Sequence, residues 1–137
     1  MALILDTGPL LAALDAADPD HEACAQVVRA AREDLVVPGL VLPELDYWCQ
    51  KRLGNDAWLI FLSDLLDGVY RAEQPTASDL RRCHDLQRTY HDLGIGLVDA
   101  SVIALAERLA EPKLATLDHR HFSVVRPAHV KALKLLP

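Results

Sequence analysis

Four carboxylates stand where the apolar patterning of the chain calls for buried side chains. Asp6 follows Leu3-Ile4-Leu5 at once in "LILDTGPLLAAL", and Asp118 follows Leu114–Leu117 in the same way in "LATLDHRHF". Asp99, in "GLVDASVIALAERL", lies in the first turn of a strongly apolar helical pattern. Glu44, in "VLPELDYW", directly follows Pro43, a residue favoured in the opening turn of a helix. Taken singly, each has an ordinary explanation: Asp6 as a helix cap, Asp99 as a complement to the helix dipole, Glu44 as a solvated helical residue, Asp118 as a turn residue. Taken together, four carboxylates that converge repel one another unless a cation is bound. Such a set of oxygen donors suits Mg²⁺, with Mn²⁺ as a substitute, ions that keep several waters and are shared with substrate phosphates.

Convergence depends on the elements that carry the acids. Strand-like apolar runs occur at Ala2–Leu5, Leu35–Val37, Val69–Arg71, Leu114–Leu117 and Val124–Val125, with helical patterns between most of them. Pro19-Asp20 opens a helix whose face is Ala23, Val27, Val28 and Ala31. A second helix carries Trp58, Phe61, Leu62, Leu65 and Leu66, and a third Leu80, Cys83, Leu86 and Tyr90. A fourth, from about Leu97, places Val98, Val102, Leu105 and Leu109 on one side with Ile103 and Ala106 beside them. Short strands alternating with helices predict an α/β fold with a parallel sheet and helices on both faces. Sites in such folds gather at the carboxyl ends of the strands, so Asp6 and Asp118 are expected on one edge.

The chain reads as one domain over residues 1–137, with no repeat, linker or low-complexity tract. Cys24, Cys49 and Cys83 are odd in number and lie in apolar or helical pattern, as expected of reduced, buried thiols. No basic leader precedes the first apolar run, which is too short for a membrane span; a cytoplasmic location is expected. The net charge of −6 argues against a protein that coats nucleic acid. From Lys113 to Pro137, however, five Lys or Arg face one acid, a local +4 that leaves −10 on the other 112 residues. Arg120 and Lys131 on this basic stretch are candidates to touch phosphate, with a merely solvated tail as the alternative.

The ordered set "LDTGPL", a helical Glu44, "GLVDASVIALA" and "LATLDHRHF" resembles the PIN domain, in the form found in the VapC toxins of bacterial toxin–antitoxin pairs. The resemblance spans nearly the whole chain, and "LDTG" and "DASV" are its most specific parts. It implies a three-layer sandwich with a short, mostly parallel five-stranded sheet flanked by helices. It also implies a metal-dependent endoribonuclease in which Asp6 and Asp99 are direct metal ligands, Glu44 and Asp118 complete the site, and Thr7 supports Asp6 by hydrogen bonding. The ion would activate water against a phosphodiester, with Glu44 holding or deprotonating that water, to leave a 5′-phosphate and a 3′-hydroxyl. A small antitoxin partner and a homodimer are further implications of the family. Trp48 and Trp58 fit either core packing or such an interface.

Other classes fit less well. A haloacid-dehalogenase phosphatase needs a second Asp two residues after the first, where this chain has Gly8. A response-regulator receiver needs an Asp after its third strand, where Ala72, Glu73 and Gln74 stand. Zinc held by Asp118, His119 and His121 is a third possibility. A housekeeping PIN nuclease and a catalytically silent PIN-like binding protein are the remaining alternatives.

Overall fold

The run Ala2–Leu5 is buried throughout and forms β1, the central strand, in the computed structural model, which describes all 137 residues. The elements that follow are α1 (Thr7–Leu14), α2 (His21–Ala30), β2 (Asp34–Pro38), α3 (Val41–Arg52), α4 (Asn55–Leu66) and β3 (Arg71–Glu73). Then come α5 (Ala77–Thr89), α6 (Leu97–Arg108), β4 (Lys113–Ala115), α7 (His119–Val124) and β5 (Lys134–Leu136). The strand order is β3-β2-β1-β4-β5, and all four pairings are parallel. The expected sheet is therefore parallel throughout rather than mostly so.

This order makes β1 and β4 the switch point of the sheet. The chain steps outward from β1 to β2 and β3, then returns to lay β4 on the other flank of β1. Strands that diverge from such a point leave a crevice at their carboxyl ends. Asp6 ends β1 there, and the residues after Ala115 leave β4 beside it.

Two expected strands move. β3 begins at Arg71 rather than Val69, because Gly68, at φ 84°, and the exposed Val69 still belong to the turn that closes α4. The Val124–Val125 pair is not a strand. Asp118 caps a short helix in which Val124 is the last residue, and Val125 turns its side chain into the core. The fifth strand is Lys134–Leu136, three residues whose single lysine hides the apolar pair behind it in a basic tail.

α6 is the most deeply buried helix, with every residue from Ala100 to Ala106 in the core. Its seating against α5 sets the position of Asp99. Asp79 receives Arg108 Nε at 3.0 Å, and Arg82 grips Glu107 through Nε at 2.6 Å and Nη2 at 3.0 Å. A capping box between Thr76 and Asp79 opens α5 and holds the Asp79 carboxylate for this pairing. Two buried or half-buried ion pairs therefore fix how α6 slides along α5.

The three cysteines are buried and free, and burial pushes each thiol up from its ordinary range. Trp48 and Trp58 are both half-buried against the core; Trp58 leans on Phe61 at 5.7 Å between ring centroids, and Phe61 on Tyr70 at 5.1 Å. Beside them Tyr47, Leu59 and Ile60 of α3 and α4 remain exposed. No helix is long and apolar enough to cross a membrane.

Candidate active site

The Asp6 backbone N–H bonds the Ala115 carbonyl at 2.9 Å, so β1 and β4 stay paired to the residue where the acid leaves the sheet. Its side chain is only just reachable from solvent. One oxygen, Oδ1, accepts the Thr7 N–H at 2.8 Å and caps α1, while Oδ2 accepts the Thr116 hydroxyl at 2.9 Å. That hydroxyl in turn accepts the Asp118 N–H at 3.0 Å. One fully buried threonine thus ties the turn after β1 to the turn after β4. Gly8 allows the two turns to close, because a Cβ there would lie 3.3 Å from Leu117 Cβ.

Asp118 caps α7 by accepting the His121 N–H on Oδ1 at 3.0 Å. The ring of His121 then folds back, with Nδ1 2.9 Å from Asp118 Oδ2 and 3.2 Å from Asp99 Oδ2. Asp99 reaches this point from the first turn of α6. Glu44 comes from α3 and accepts the Thr7 hydroxyl on Oε1. The four acids line one cleft of about 500 Å³, together with Thr7, Trp48 and Arg52.

The electrostatics are those of acids held together against their preference. Asp6 is pushed up to about 6, chiefly by burial, with the charges of Asp99 and Glu44 adding and the Thr7 and Thr116 hydrogen bonds opposing. Asp99 is likewise raised, first by burial and then by Asp118, with His121 opposing. A divalent cation would relieve both. Donor atoms of Asp99, Asp118 and His121 all lie within 4.8 Å of one another, and with Asp6 and Glu44 on the same cleft the set fits such an ion.

The geometry brings together Asp6, Glu44, Asp99 and Asp118, so capping and clustering are both true of Asp6 and Asp118. It alters one supporting role: the Thr7 hydroxyl serves Glu44, and only its N–H serves Asp6. The zinc set is not assembled, because His119 is exposed while His121 turns inward to Asp99 and Asp118. Arg120 is exposed on α7, next to the site. Lys131 is exposed in the crossover that enters β5 at the amino end of the sheet, away from the acids. Sequence reasoning overlooked Thr116, whose signal is a hydroxyl two residues before Asp118 in an apolar run. It also overlooked Arg52, whose signal is the four-residue spacing Glu44, Trp48, Arg52 on one face of α3.

A family model described as PIN domain matches residues 3–127. The chain belongs to the PIN domain family. All four acids of this PIN domain fall inside the matched span. Ribonuclease VapC26 of Mycobacterium tuberculosis is 38% identical over 125 residues, which cover 91% of this chain and 93% of that protein. Among solved structures, Mycobacterium tuberculosis VapC20, a sarcin–ricin loop cleaving toxin, matches with a TM-score of 0.83 at 20% identity, covering 94% of this PIN domain and 98% of VapC20. VapBC2 from Rickettsia felis, bound to a DNA fragment from its promoter, gives a TM-score of 0.72 at 17% identity with both chains fully covered. The three-layer PIN architecture is shared with both.

Proposed function

We propose that this PIN domain is a Mg²⁺-dependent endoribonuclease acting as the toxin of a type II toxin–antitoxin pair. The observation that carries the proposal is the meeting of four carboxylates from four separate segments in one cleft, with Asp6 pushed up to about 6 by burial and its acidic neighbours. The likeness to Ribonuclease VapC26 supports RNA as the substrate. Asp6 and Asp99 are the direct ligands, Glu44 and Asp118 complete the site, and the resident ion is Mg²⁺, with Mn²⁺ as a substitute. When bound, such an ion supplies Lewis acidity toward a phosphodiester and lowers the pKa of water.

The remaining work falls to the chain. Thr116 aims Asp6 and favours its ionised form, offsetting part of the burial cost. His121 holds Asp99 and Asp118 toward each other. Thr7 occupies Glu44 Oε1 and leaves Oε2 free to take a proton from the attacking water. Water attack of this kind leaves a 5′-phosphate and a 3′-hydroxyl. Purified protein should cut RNA in Mg²⁺ or Mn²⁺ and stop on addition of EDTA; cleavage undiminished in excess EDTA would overturn the metal mechanism.

We further propose a small antitoxin as partner, docking on the exposed Tyr47, Leu59 and Ile60 of α3 and α4 and presenting a basic side chain to the acid cleft. A homodimer contact is the alternative use of the same apolar region, and the proposed site of action is the cytoplasm. A protein always recovered alone from its host and harmless on overexpression would favour the housekeeping alternative.

Arg120 and Lys131 are proposed to touch RNA phosphate, and their positions rank them. Arg120→Ala should weaken RNA binding and lower its salt dependence, whereas Lys131→Ala should do so only for an RNA long enough to reach the amino end of the sheet. Filter binding of short and long RNA by both variants checks this; no change in either variant would leave the basic stretch a solvated tail.

A further inference from the structure

The acid cleft contains one cation, and that cation pairs with none of the acids. Arg52 is the last residue of α3 and lines the cleft beside Asp6, Glu44, Asp99 and Asp118. Its side chain makes no salt bridge and no hydrogen bond. Instead the guanidinium carbon sits 4.8 Å from the centroid of the Trp48 ring, and Trp48 is itself braced edge-on by Tyr47 at 5.1 Å. Arg52 is exposed, and a helix C-terminus favours a cation at this position, but that does not explain why its guanidinium lies over the Trp48 ring at the edge of the cleft.

Spacing explains why the arginine stays unpaired. Glu44, Trp48 and Arg52 follow one another at four-residue intervals on α3, so Arg52 stands about 12 Å along the helix from Glu44. Arg52 forms no ion pair with Glu44 across that separation, and it stands on the same face of α3, where one bound strand could reach both. Stacking on an indole holds a guanidinium in place without using any of its five N–H donors. The group is oriented by the indole, open to solvent, and unpaired.

We propose that Arg52, positioned by Trp48, is the phosphate-binding arm of this cleft and takes a backbone phosphate of the RNA strand whose neighbouring phosphodiester faces the acids. This rests on the ribonuclease reading above and extends it. A cleft lined by four carboxylates repels a polyanion, and an ion at the acids compensates only at the scissile group. Arg52 supplies a fixed positive point farther along the strand, with a planar fork suited to phosphate oxygens. Trp48 is a positioning residue: it sets where the fork waits.

The test is binding of a short, labelled single-stranded oligoribonucleotide of mixed sequence, followed by fluorescence anisotropy over a range of salt, with Asp99→Asn in every protein so that the RNA is not cut. Arg52→Ala should weaken binding about tenfold and lower the salt slope by about one ion. Arg52→Lys should keep the slope and recover part of the affinity. Trp48→Phe, which leaves the charge and loosens the support, should weaken binding with the slope unchanged. Affinity and slope left unchanged by Arg52→Ala, or a loss seen only in binding of a protein partner, would overturn the inference while leaving the ribonuclease reading intact. If the protein that retains Arg52 binds no oligoribonucleotide and the wild type cuts none, the ribonuclease reading itself falls.

Discussion

Asp99→Asn should lower RNA cleavage by about 100- to 10,000-fold and yet raise the melting temperature of the metal-free protein. Asn is nearly the same shape, and its side chain can still hydrogen-bond His121 Nδ1, which lies 3.2 Å from Asp99 Oδ2. What disappears is a charge. Two carboxylates ~5 Å apart at an effective dielectric of about 20 repel by roughly 3 kcal/mol before screening and partial protonation reduce it. His121 already offsets part of this for Asp99, so a net gain of about 1 kcal/mol in EDTA is expected, or about 4 °C. Mg²⁺ should then stabilise wild type, which binds it when folded, and stabilise the variant much less. Thermal unfolding of both proteins, with and without Mg²⁺, decides the matter. Equal melting temperatures and equal responses would mean that the acids act separately, each at its own helix end.

Asp6 should make the metal-free protein less stable as the pH rises. Its carboxyl titrates near 6 in the folded state against 3.8 as a free side chain, so between those values the folded state holds the proton more tightly than the unfolded one. The stabilisation is fully present below about pH 4, is lost as the pH rises to about 6, and stays lost above it. At 1.36 kcal/mol per unit this amounts to about 3 kcal/mol for a nearly buried group. Asp6→Asn keeps an oxygen for the Thr7 N–H and carries no charge, so it should flatten the profile and be the more stable protein at pH 7 in EDTA. Since the ion competes with that proton, metal affinity should weaken as the pH falls through 6. Urea unfolding of both proteins across this range isolates the contribution, because other titrating groups are common to the two. Parallel profiles would show that Asp6 is ionised and relieved in some other way.

What was legible in the chain was what short-range pattern encodes. The buried runs ending in Asp6 and near Asp118, and the apolar helix that starts before Asp99, place three acids without any tertiary knowledge. β5 was missed because three residues are too few to show alternation, and Val124-Val125 offered a stronger β pattern nearby. There the cap from Asp118 outweighed the preference of two valines. The partners of the acids were illegible for another reason. Thr116 and Asp6 are 110 residues apart, and no local pattern says that the fourth strand will pair with the first. Arg52 is the opposite case: its spacing from Glu44 and Trp48 was in plain view, but a terminal helical arginine looks ordinary until the cleft it faces is known.

The pairing of β1 with β4 also governs when the acid cleft can exist. Synthesis proceeds from the N-terminus, and domains fold as units once their chain is available. A nascent chain that has passed Asp99 carries three of the acids, but the strand that flanks β1 on the far side, the threonine that orients Asp6 and the fourth acid are still unmade. The crevice has only one wall. On the proposed function, the chain gains a complete acid cleft only when nearly all of its translation is done, and a chain cut short before Lys113 should cleave no RNA. Its topology is a delay timer.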